Sequence, residues 1–149
     1  MIGLSRRQLL AGSAGAVTIA ALGVAPAAAA NNAQDLIKAF TGGKQASEGK
    51  VKLDLPEIAE NGNTVPMTVS VESPMTEASH VTAVLVVGDG NPNGGLVTFH
   101  FTPASGVAEA NTRIRLAQTQ DIIAVAKMND GTFFSATKQV KVTIGGCGG

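Results

Sequence analysis

Apolar residues recur at every second position along most of this chain, and the recurrence breaks at turn-forming residues roughly every ten positions. Val51, Leu53 and Leu55 alternate with polar residues as far as Pro56, and Val65, Met67, Val69 and Val71 do so as far as Ser73-Pro74. Such alternation puts one face of an extended strand in a core and the other in water. Val81 to Val87 is nearly continuous and predicts a central strand, closed by the turn-rich segment Gly88 to Gly95. Leu96 to Phe101, Ala110 to Leu116 and Asp121 to Met128 predict further strands, and Asn129-Asp130-Gly131 predicts a hairpin turn into a last strand, Thr132 to Ile144. In that strand Val140, Val142 and Ile144 are expected to point inward, so that order persists to Ile144 and stops there.

The one helical pattern lies earlier. Asn32 is placed to cap a helix through Phe40, with Leu36, Ile37 and Phe40 as its apolar stripe and Gly42 to end it. Seven short strands in about 95 residues, after one short helix, predict an all-β fold: an immunoglobulin-like antiparallel β-sandwich.

Before the helix stand Ser5-Arg6-Arg7-Gln8-Leu9-Leu10, an alanine-rich apolar stretch to Ala25, Pro26, and alanines from Ala27 to Ala30. A basic start, an apolar middle and a small-residue cleavage site make an export signal. The Arg6-Arg7 pair resembles a twin-arginine signal, an address rather than an anchor. A phenylalanine is commoner where Leu9 stands and a lysine where Ala11 stands, so an ordinary secretory signal also fits. The stretch is short for a span of about 20 apolar residues, and the mature chain is expected to have no membrane span. Residues 1–30 are thus read as the signal, 31–144 as one carrier domain and 145–149 as a mobile arm. Without Arg6 and Arg7 the eleven basic residues become nine against eleven acidic ones, a net charge of −2, which argues against nucleic acid as a partner.

The single cysteine, Cys147, stands between Gly145-Gly146 and Gly148-Gly149. It has no partner for an internal disulfide, and it lies where no core is expected to form around it. Reactivity belongs to exposed thiols that can ionise, and inertness to buried ones. Glycine on both sides removes neighbouring Cβ atoms and widens the accessible backbone conformations, so Gly145, Gly146, Gly148 and Gly149 are expected to hinge a covalent carrier arm. No basic residue lies nearer in sequence than Lys141, and the resting thiol is expected to be a weak nucleophile that a partner activates.

Val142-Thr143-Ile144-Gly145-Gly146-Cys147-Gly148-Gly149, Thr112-Arg113-Ile114-Arg115-Leu116-Ala117, Phe99-His100-Phe101-Thr102-Pro103 and Ala124 to Gly131 resemble the SoxY family, the sulfur carriers of bacterial thiosulfate-oxidising (Sox) systems. The resemblance implies a periplasmic immunoglobulin-like subunit, paired with a second β-sandwich subunit, SoxZ. Only Cys147 transfers as a functional residue. It implies that a haem-containing c-type cytochrome complex couples thiosulfate to Cys147, giving a cysteine S-thiosulfonate. A dimanganese hydrolase would then release sulfate and leave a persulfide. In organisms that have it, a molybdenum and haem sulfur dehydrogenase would oxidise the remaining sulfane sulfur. Haem, manganese and molybdenum would thus belong to partner enzymes, and this chain would bind no cofactor and catalyse nothing.

Other readings compete. A ubiquitin-like carrier also ends in Gly-Gly, here Gly148-Gly149, but the export signal and the all-β pattern oppose it. An exported copper-binding sandwich would use Cys147, His80, His100 and a methionine such as Met128, yet such sites need a rigidly fixed cysteine. A structural exported domain, using Cys147 for an intermolecular disulfide, is not excluded by the residues. Arg113 and Arg115 could attract an anion, although alternating charges on a strand usually form its solvated face.

Overall fold

The computed structural model describes residues 31–147. The helix α1 spans Ala33–Thr41 and ends at Gly42, whose φ of 65° is the left-handed conformation expected of a glycine terminator. Its start differs from expectation. Asn32 occupies the cap position without a side-chain cap bond, because its Oδ1 accepts the N–H of Gly94 at 2.7 Å. The neighbouring Asn31 Oδ1 instead accepts the Ala33 N–H.

Nine strands follow: β1 (Ser47–Glu48), β2 (Val51–Asp54), β3 (Ile58–Ala59), β4 (Val65–Val71), β5 (Val81–Gly88), β6 (Gly95–His100), β7 (Ala108–Ile114), β8 (Gln120–Met128) and β9 (Phe133–Val142). The seven longer ones are those the alternation predicts, and they form an antiparallel β-sandwich of the immunoglobulin-like class. One sheet runs β1-β9-β8-β5-β6 and the other β2-β4-β7. Two elements are new. β1 and β3, each of two residues, pair in parallel with separate stretches of β9.

The core lies between the sheets. Met67, Val65 and Val69 of β4 face Val84 and Val86 of β5, Ile122 of β8 and Val140 of β9, all fully buried. The continuous apolar run of β5 has a simple cause: Val84 and Val86 face the opposite sheet, while Leu85 and Val87 face Ala33, Leu36, Ile37 and Phe40 of α1. A strand covered on both sides needs apolar residues at consecutive positions. At the β8–β9 hairpin, Gly131 takes φ 83° and Asp130 Oδ1 accepts both the N–H and the hydroxyl of Thr132. These bonds favour the charged carboxylate and hold Asp130 below the ordinary aspartate range.

Candidate functional site

The region around Cys147 is assembled by β3 and the turn that follows it. Parallel pairing sets Ile58 opposite Lys141 and Ala59 opposite Val142, and the ladder continues outside the strand limits. Lys141 N–H donates to Glu57 O at 2.9 Å, Thr143 N–H to Ala59 O at 3.0 Å, and Gly62 N–H to Ile144 O at 2.8 Å. The chain then turns through Asn61-Gly62-Asn63, where Asn61 Oδ1 accepts the Asn63 N–H, an Asx turn of the kind asparagine favours.

Order therefore continues beyond Ile144, which corrects the expectation that it stops there. Gly146 N–H donates to Leu116 O at 2.8 Å, Gly146 is itself buried, and Cys147 N–H donates to Asn63 Oδ1 at 3.1 Å. Ile144 is also corrected. Its side chain is 68% exposed instead of pointing inward, in the segment past the end of β9 where its carbonyl accepts the Gly62 N–H.

Glycine at 145 and 146 serves packing in this geometry. Neither residue has φ in the left-handed region, so a side chain is excluded by space and not by conformation. A Cβ on Gly145 would collide with Ala117 O, and one on Gly146 would sit 2.8 Å from Gly62 O and 3.0 Å from Asn63 N. Such distances are sub-van der Waals for carbon. The two expected hinge residues that the structure describes are thus seated against the domain; Gly148 and Gly149, like Arg6 and Arg7 of the export signal, lie outside the described residues.

The Leu116 carbonyl that receives Gly146 is fixed from the other side by a buried amide network. Asn91, 2% exposed, donates from Nδ2 to Arg115 O at 2.8 Å and accepts at Oδ1 from Ala117 N–H at 2.9 Å. The same Oδ1 accepts from Gln120 Nε2 at 2.7 Å, and Gln120 Oε1 accepts the Gly90 N–H. Asn91 and Gln120 escape a reading of the sequence because nothing distinguishes them from ordinary loop amides. The Asn61-Gly62-Asn63 tripeptide is visible as a turn, but not as a contact of Cys147.

Cys147 is a free, exposed thiol. Arg113 reaches toward the same turn, its Nη1 donating to Thr64 Oγ1 at 3.3 Å, while Arg115 is exposed. The copper reading finds no assembled ligand set: no group of three or more His, Cys, Asp or Glu side chains suited to a metal occurs among the described residues. His80 Nδ1 bonds with Thr76 O, His100 is exposed at the end of β6, and Met128 is buried in the core. No helix among the described residues is long and apolar enough to cross a membrane.

Comparison with known proteins adds a family to this geometry. The family model of the sulfur oxidation protein SoxY matches residues 37–147. No curated protein matches the chain in sequence. Among solved structures, the sulfur carrier protein SoxY from Chlorobium limicola f thiosulfatophilum is 30% identical, with a TM-score of 0.63 over 74% of this chain and 96% of that one. A superoxide reductase (neelaredoxin) from Ignicoccus hospitalis has a TM-score of 0.57 at 20% identity, covering 63% of this chain and 80% of its own. Another superoxide reductase, from Nanoarchaeum equitans, has a TM-score of 0.55 at 11% identity, covering 64% and 100%. The likeness to these two is one of fold alone.

Proposed function

The chain belongs to the SoxY family of sulfur oxidation proteins, and from that premise we propose that Cys147 is the atom on which it carries sulfur. The observation that supports this most is the exposed free thiol of Cys147, on a segment held through the backbone amides of Gly146 and Cys147. A carrier that serves several enzymes must offer them one atom without bulky neighbours that fit one cleft and clash in the next.

The thiol and thiosulfate lose two electrons and a proton to a c-type cytochrome complex, and a new S–S bond leaves cysteine S-thiosulfonate. Water then attacks the outer sulfone sulfur on a dimanganese hydrolase; the S–S bond to that sulfur breaks, sulfate and a proton leave, and the persulfide remains. Where a molybdenum and haem sulfur dehydrogenase is present, it would take six electrons from the outer sulfane sulfur while three waters supply oxygen and seven protons leave, giving cysteine S-sulfonate. A second hydrolysis then breaks the S–S bond, releasing sulfate and a proton and restoring the thiol. This chain is the substrate holder throughout, and the catalytic metals are the partners'.

We also place the carrier in the periplasm, exported through the signal in residues 1–30, as a heterodimer with SoxZ. The strand order supports a protein partner in general terms. β6 ends one sheet and β2 and β7 end the other, and the core-facing Val97, Phe99 and Phe101 in and after β6 remain only half buried. Unpaired edges of this kind invite pairing or cover.

The test is mass spectrometry of the C-terminal peptide from cells oxidising thiosulfate. The expected result is one S2O3 unit on Cys147, accompanied by a persulfide form. A Cys147→Ala chain should fold like the native one and carry nothing. Sulfur found on any other residue, or none at all during active thiosulfate oxidation, would overturn the assignment.

A further inference from the structure

Gly62 lies 84 positions before Gly146 in sequence, yet it packs directly against it. A Cβ at Gly62 would collide with Leu116 O, would sit 2.7 Å from Gly146 N and 3.1 Å from Ile144 O. Its φ is outside the left-handed region, so backbone conformation does not call for glycine here. What does is the convergence of three backbones. Gly62 N–H donates to Ile144 O, Leu116 N–H donates to Gly62 O, and Gly146 N–H donates to Leu116 O, each at 2.8 Å. The next residue of the turn, Asn63, then holds the amide of Cys147 itself.

We infer that Gly62, Asn63 and the Leu116 carbonyl form a seat for the root of the carrier arm, and that Gly62 and Asn63 are positioning residues for the thiol of Cys147. The inference rests on the carrier reading above and adds residues from outside the arm to it. Gly62, Gly145 and Gly146 form one steric unit, since a methyl group on any of them occupies the space of another backbone. The seat also sets the pivot. With Gly146 bonded to Leu116 and the Cys147 amide to Asn63, the pivot lies no earlier than Cys147. With those bonds broken, the pivot retreats to Ile144, and the sulfur gains two residues of leash, roughly 7 Å. A partner with a shallow cleft meets the thiol at a defined address, and one with a deep cleft must empty the seat first.

The experiment uses the full chain, and the lone cysteine makes labelling specific. Amide hydrogen exchange is followed by NMR, and a methanethiosulfonate nitroxide on Cys147 reports arm motion by electron paramagnetic resonance. In the native chain the Gly146 amide should exchange at least about tenfold more slowly than in an unstructured peptide, as a hydrogen-bonded amide in a locally closed segment does. Gly62→Ala should abolish that protection and sharpen the nitroxide spectrum, while amides of β5 and β8 keep theirs. Gly146→Ala should do the same from the arm side, which guards against a folding defect in the Gly62 variant. Asn63→Ala should release the Cys147 amide and leave Gly146 protected.

A Gly146 amide that exchanges at the unstructured rate in the native chain overturns the seat, as does protection that survives both alanine variants. Cys147→Ala separates the two readings. Gly146 should stay protected in that variant, which carries nothing, whereas a native chain that takes no sulfur during thiosulfate oxidation yet keeps the protection refutes the carrier assignment and leaves the seat standing.

Discussion

At the scale of single residues, the glycines around Cys147 illustrate how one residue type answers two demands. The sequence marks Gly145 and Gly146 as flexible, because glycine costs backbone entropy to fix; the structure uses them where backbones approach too closely for a Cβ. Asp130 presents a second residue-scale case. Its carboxylate accepts two bonds from Thr132, and its pKa lies below the ordinary aspartate value chiefly through the Thr132 hydroxyl and then the Thr132 amide. A depressed carboxylate pKa contributes stability above the unfolded-state pKa and loses it as pH falls through the folded one. The β8–β9 turn should therefore loosen only under acid conditions below the normal aspartate range. Thr132→Val should bring Asp130 back toward that range in an NMR titration; an unchanged titration would show that the hydroxyl is not the cause.

At the scale of elements, seven strands could be read from alternation because burial of one face imposes period two on neighbouring residues. β4 was bounded as Val65–Val71 by that pattern alone. β1 and β3 were not legible, since two residues carry no period and their partner strand is distant in sequence. The same distance hid the amide network. Asn91 connects the Gly88–Gly95 turn to the segment after β7, and its loss leaves Ala117 N–H without a partner and removes one from Gln120 and Arg115 O. Buried groups deprived of partners cost about 1–3 kcal/mol each, so Asn91→Ala should destabilise the domain by about 3 kcal/mol in urea unfolding. The Gly146 amide should lose part of its protection with it, because the residues on both sides of Leu116 then lose the bonds to Asn91 that fix its carbonyl.

At the scale of the whole molecule, the edges of the sandwich are covered unequally. β1 and β3 cover the outer edge of β9, whereas β6, β2 and β7 each keep one unpaired edge among the described residues. The arm root lies just past the end of β7, bonded to Leu116, so a partner seated along β7 would stand beside the thiol. If export follows the twin-arginine route, which carries folded cargo, a partner without its own signal travels with this chain. Replacing Arg6 and Arg7 by lysine should then leave both subunits in the cytoplasmic fraction, and continued export of the partner would refute joint transport.

The fold class, the seven long strands, the helix with its glycine terminator and the prominence of Cys147 all came from residues acting on near neighbours. Alternation, capping and turn chemistry are local in the chain, and local physics can be read along it. The seat beneath the arm is different in kind. Gly62, Asn63, Asn91 and Leu116 acquire their roles only when the closed sandwich brings the Asn61–Asn63 turn, the end of β7 and the segment past β9 into bonding distance. Backbone amides carry no trace of their distant acceptors in the side chains beside them, so only the folded chain reveals that the root of the proposed arm is held.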